Sequence, residues 1–120
     1  MNFNDLLGLT ITEISGAQAG NDEIIFSVSD GRKFRLMHWQ DCCENVDIND
    51  IEGDIADLVG IPLIQAEEVS DITMDAESAN NEGLKWTFYK LGTQKGYVTI
   101  RWYGASNGFY SESVNFEQIV

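Results

Sequence analysis

A chain of 120 residues with 20 acidic and seven basic side chains has a formal net charge of −13. A surface that negative repels phosphate backbones, which argues against direct binding to nucleic acid or an anionic membrane. The length suits a single domain over 1–120 with one core, and an apolar fraction of 43% supplies the material for it.

No stretch approaches the roughly 20 apolar residues that a spanning helix needs. The opening MNFND lacks the basic start and apolar run of a signal peptide. Cys42 and Cys43 are adjacent, and a disulfide between neighbours is strained. They read as free thiols of a reducing compartment, so the expected location is the cytoplasm.

Taken in chain order, residues 5–8 (DLLG) suggest an opening turn that buries two leucines. Period-two alternation over 9–14 and 23–29 predicts strands, with Ile24, Phe26 and Val28 on one face. Asp30-Gly31 supplies a tight turn into a partner strand over 32–39, because both positions tolerate positive φ. Residues 36–84 then contain no Lys or Arg and thirteen of the acidic residues. Within them, 50–59 (DIEGDIADLV) carries Ile51, Ile55, Leu58 and Val59 at helical spacing, with Asp50 as N-cap and Gly60 and Pro62 beyond the end. One short amphipathic helix is predicted there, although Gly53 weakens it by about 1 kcal/mol relative to Ala. Residues 62–72 predict a strand and 75–83 an exposed loop. Strands are expected at 84–91 and 97–103, on either side of a connection at 92–96. A turn at 107–108 and a last strand over 109–116 complete the set. The fold class is α+β: a mostly antiparallel sheet built from hairpins, in one piece or as two packed halves, with the short helix near 50–59.

Three groups of residues could carry function. The first is acidic: Asp47, Asp50, Glu52, Asp54, Asp57, Glu67 and Glu68 offer a negative surface to a basic partner. The run from Asp47 to Asp54 resembles a calcium loop only superficially, because Ile51 stands at position five and Gly53 at seven rather than six. The second group is a recognition face of Tyr89, Tyr97, Arg101 and Tyr103, residue types that dominate binding hot spots. Its alternative is a face covered by a second layer and spent on the core. The third is His38, Asp41, Cys42, Cys43 and Glu44, a weak metal candidate: extended neighbours such as Cys42 and Cys43 point to opposite faces and cannot converge on one ion. Asp41 and Glu44 also oppose the electropositive setting that an activated thiolate requires. No phosphate-binding loop or nucleophile elbow occurs. Binding is therefore favoured over catalysis, and no cofactor is expected.

Several segments carry a family resemblance. They are the hairpin over 23–35 leading into 38–44 (HWQDCCE), the 66–69 segment (AEEV), 86–89 (WTFY), and 96–114 (GYVTIRWYGASNGFYSESV). Together they resemble a family of small uncharacterised acidic proteins of tailed phages and prophages, which carry a domain of unknown function. Asp-Cys-Cys-Glu and Arg-Trp-Tyr-Gly are the most specific parts, and Trp39 stands where the family pattern expects Asp. The resemblance assigns no activity. It implies an acidic binder that inhibits or modulates a host protein, an anti-CRISPR-like inhibitor of a nucleic-acid-binding defence complex being one form. The alternatives are a nucleotide- or metal-binding domain and an uncharacterised enzyme. Association between copies of the chain stays open.

Overall fold

The computed structural model describes residues 2–39, 44–72, 83–106 and 114–120. Period-two alternation makes strands of most of them: β1 (Ile11–Ser15), β2 (Glu23–Val28), β3 (Lys33–Met37), β4 (Asn45–Glu52), β5 (Gln65–Ile72), β6 (Gly83–Thr93), β7 (Gly96–Ser106) and β8 (Asn115–Gln118). They form two antiparallel four-stranded sheets, ordered β1-β2-β3-β8 and β4-β7-β6-β5. The mostly antiparallel, hairpin-built fold expected from sequence is therefore present, in its two-sheet form. Helical structure among the described residues is confined to two 3-10 turns, η1 (Phe3–Leu6) and η2 (Ile55–Leu58).

The inner faces of the two sheets share one core. Ile24, Phe26, Phe34 and Leu36 come from the first sheet, and Ile48, Tyr89, Leu91, Ile100 and Trp102 from the second. Burying such side chains contributes about 1.5–3 kcal/mol each. η1 adds Phe3 and Leu6, which are buried, whereas Leu7 is exposed; the opening turn thus inserts a phenylalanine and one leucine rather than two leucines. Phe3 meets the rings of Tyr89 at 4.7 Å and Phe116 at 5.2 Å.

The β2–β3 hairpin turns at Asp30-Gly31 as the sequence predicts, with Gly31 at φ +94°. The Asp30 carboxylate accepts hydrogen bonds from the backbone N–H and Nε of Arg32. The Arg32 side chain, bonded to it, holds the Asp30 carboxyl below the usual carboxylate range.

The segment 50–59 departs from the expected helix. β4 continues to Glu52, and only Ile55–Leu58 turns, in 3-10 form. The cap is Asp54, whose Oδ1 accepts from Ala56 N at 3.0 Å, while Asp50 lies within the strand. Gly53 explains the break. It sits at φ +104°, and a Cβ there would overlap the Tyr97 carbonyl oxygen, so the backbone is left-handed at a position inside the expected helix. The loop expected at 75–83 and the turn at 107–108 lie outside the described residues, apart from Gly83, which opens β6. Most of the strand expected at 109–116 also lies outside them; β8 runs from Asn115 to Gln118.

Candidate functional site

The register across the β6–β7 hairpin decides what the second sheet turns outward. Thr93 pairs with Gly96, so the turn is two residues long, and Tyr89 pairs with Ile100 while Trp86 pairs with Tyr103. Odd-numbered residues of β6 therefore share a face with even-numbered residues of β7. Thr87, Tyr89 and Leu91 join Val98, Ile100 and Trp102 in the interior, and all six are buried. Trp86, Phe88 and Lys90 lie outside with Tyr97, Thr99, Arg101 and Tyr103.

This corrects the recognition face drawn from alternation alone. Tyr97, Arg101 and Tyr103 are on the outer face, but Tyr89 is fully buried on the inner one. Its hydroxyl donates to Glu68 Oε1 at 3.1 Å. Burial first, then the negative charge of Glu68 and this hydrogen bond, push the phenol far above its ordinary range and keep it a donor. Two residues on the outer face escape reading by composition: Trp86, whose ring stands 4.6 Å from that of Tyr103, and Phe88.

The flanking strands bring the acidic group to the same face. On β4, Asp47 pairs with Tyr103, Asp50 with Arg101 and Glu52 with Thr99; on β5, Glu67 pairs with Lys90. β4 shifts register between Ile48 and Asp50, leaving Asn49 as an extra residue. Such a bulge lets two consecutive side chains converge on one partner. Arg101 Nε donates to Asn49 Oδ1 at 2.9 Å, and its Nη2 lies 3.7 Å from Asp50 Oδ2. The same guanidinium stands 5.3 Å from the Trp86 ring centroid, a cation–π arrangement. Tyr97 is 63% exposed, and its ring covers Gly92, where any Cβ would overlap it. A shallow depression of about 50 Å³ separates Asp50, Glu52, Phe88, Thr99 and Arg101. The result is an aromatic and cationic centre bordered on both sides by carboxylates.

The remaining candidates lie elsewhere. Asp54 caps η2 and Asp57 lies within it, and η2 packs on the β6–β7 turn: the Thr93 hydroxyl donates to the Asp57 carbonyl, and Lys95 Nζ donates to the Val59 carbonyl at 2.7 Å. Glu68 is exposed but turned toward the interior side of β5, away from Glu67. His38 and Glu44 are both buried and face each other, with Nε2 3.3 Å from Oε1. Asp41, Cys42 and Cys43 lie outside the described residues. Among the described residues no three His, Cys, Asp or Glu side chains converge to hold a metal ion, and no helix is long and apolar enough to cross a membrane.

No curated protein and no solved structure matches the chain. A family model does, over residues 4–116, and the chain belongs to that family, described as Domain of unknown function (DUF7448).

Proposed function

We propose that this chain works by binding, and that the outer face of the β4-β7-β6-β5 sheet docks a basic protein surface. One observation carries the reading: residues of two separately expected groups, Asp47, Asp50, Glu52 and Glu67 and then Tyr97, Arg101 and Tyr103, share that face. Aromatic side chains supply desolvated anchors, and a carboxylate border supplies steering and selects against acidic competitors. Modulation of a host protein, the role that the phage-family resemblance implies, is one setting for such a surface. A basic groove that normally holds nucleic acid is the chemistry it would meet there.

A nucleotide is a poorer fit. The depression at Asp50 and Phe88 is about 50 Å³, whereas small-molecule sites run from roughly 300 to 1,000 Å³. The open cleft of about 300 Å³ beside Phe3 reaches that size, but Glu67 and Glu68 line it and would repel phosphate.

The test is affinity capture from bacterial lysate at about 0.1 M and about 0.5 M salt, where screening lengths differ severalfold. The wild-type chain should retain a defined basic protein at low salt and lose it at high salt. The Asp47→Lys/Asp50→Lys/Glu52→Lys variant should not retain it at either. Capture that ignores both salt and the triple variant would sink the proposal.

A further inference from the structure

We infer that the outer edge of β5 is a strand-pairing site for an extended basic segment of the partner, an inference that rests on the basic-partner reading above. The two sheets have four edge strands, and three are protected among the described residues. β8 spans only four residues. β1 changes register between Ile11 and Glu13. β4 carries the bulge at Asn49, and the chain before β2 already occupies its edge: Gly20 N donates to the Ile48 carbonyl at 2.7 Å, and Ile48 N donates to the Asn21 carbonyl at 2.8 Å. Bulges, short length and covering loops are the usual means of closing an edge.

β5 is eight residues long without a bulge, and η1, which packs beside it, makes no backbone hydrogen bond to it among the described residues. The strand pairs with β6 in unbroken register from Gln65↔Gly92 to Ile72↔Lys85, and no strand among the described residues pairs along its other side. Such an edge presents a row of backbone donors and acceptors that a further strand can satisfy. Room exists beside it. An open cleft of about 300 Å³ lies between η1 and β5, lined by Asn2, Phe3, Asn4, Ala66, Glu67 and Glu68.

Charge selects the occupant. Glu67 and Glu68 are exposed and point to opposite faces of the strand. An added strand with consecutive basic residues would meet one carboxylate on each face, the favourable cross-strand arrangement. A second copy of this chain meets the opposite situation. Antiparallel self-pairing centred on Glu67 and Glu68 sets Glu67 of each copy opposite Glu68 of the other, between molecules that each carry −13.

The test uses a peptide of about ten residues, long enough to cover the strand. It is built from valine and threonine around a central Lys-Lys pair, and is compared with the same peptide N-methylated through its centre. The unmodified peptide should bind the full chain and slow hydrogen exchange at alternate β5 amides. N-methylation, which keeps the charge but removes the donors, should weaken binding at least tenfold. Val69→Pro and Ser70→Pro complete the design, because neighbouring N–H groups on a strand point to opposite sides. The variant that melts like wild type has lost an outward N–H and should bind at least tenfold more weakly. If both melt early, the methylated peptide and the exchange pattern give the answer. Equal binding by the methylated peptide, full binding by the tolerated proline variant, or no binding at all overturns the inference. Loss only in Asp47→Lys/Asp50→Lys/Glu52→Lys also overturns it, while leaving the docking-face proposal standing; that proposal fails separately, in the lysate capture.

Discussion

The outer faces of the two sheets use the same local device to different ends. On the β1-β2-β3-β8 sheet, Arg35 lies over the ring of Trp39, 5.1 Å from its centroid, and between two carboxylates: Glu23 at 3.8 Å and Glu117, with which it pairs closely. Those residues come from three adjacent strands, and around them Ser27, Lys33 and Met37 leave a near-balanced surface. On the β4-β7-β6-β5 sheet, Arg101 also lies over a tryptophan beside a carboxylate, but aromatic side chains surround it and acidic residues outnumber basic ones on the face. The first arrangement satisfies its own charges and ties strands together. The second leaves carboxylates and ring surface unspent, which is what a docking face requires.

Four experiments would break or sharpen this contrast. Charge reversal should separate the faces most. Asp47→Lys/Asp50→Lys/Glu52→Lys should cost roughly 100-fold in partner affinity, whereas Glu13→Lys/Glu23→Lys on the other sheet should stay within about threefold at physiological salt. Comparable losses from both would mean that net charge acts without a defined face. Next, Trp86→Ala should weaken binding about 30-fold, a hot-spot cost near 2 kcal/mol, while Trp39→Ala leaves it unchanged; titration calorimetry reads both.

The third concerns the tyrosine that the inner face claimed. Tyr89 holds its proton in the folded chain well above the ordinary phenol value of 10.0. The unfolded chain releases that proton above about pH 10, so the contribution is complete below that pH and falls as pH rises, by about 1.4 kcal/mol per unit. Urea unfolding in alkaline buffers should show Tyr89→Phe with a correspondingly shallower decline. Identical slopes would contradict the burial. The smallest effect is on stability alone. Arg35→Ala should cost about 1 kcal/mol because it unties Glu23 and Glu117, and Arg101→Ala about half that, its side chain being more exposed. A reversed order would show that Arg101 is the structural one.

Hairpins were legible because period and turn agree. Glu23–Val28 alternates and meets Asp30-Gly31, and β6 and β7 alternate with equal clarity. β4 was not legible. The extra residue Asn49 breaks its period, and Ile51, Ile55, Leu58 and Val59 imitate a helical face across the left-handed backbone of Gly53. The acidic residues of the site and Tyr97, Arg101 and Tyr103 could be named from sequence, but Trp86, Phe88 and the grouping could not. Trp86 with Phe88 and Thr87 with Tyr89 are comparable candidates for burial, and only the parity set by the two-residue turn at Gln94-Lys95 decides between them. Taking Gly92 to Gly96 as a longer connection hides that parity. The positions of Asp54 and Asp57 follow from η2 docking on that turn, a contact between segments distant in sequence.

Phe3 and Phe116 touch, and Phe116 stacks on Phe34 at 5.5 Å, so the aromatic centre of the core gathers residues from opposite extremes of the sequence. A chain still being translated short of β8 cannot close that cluster. Its first sheet would lack β8, leaving Phe3 and Phe34 without Phe116, and long-range pairing of this kind is slow as well as late.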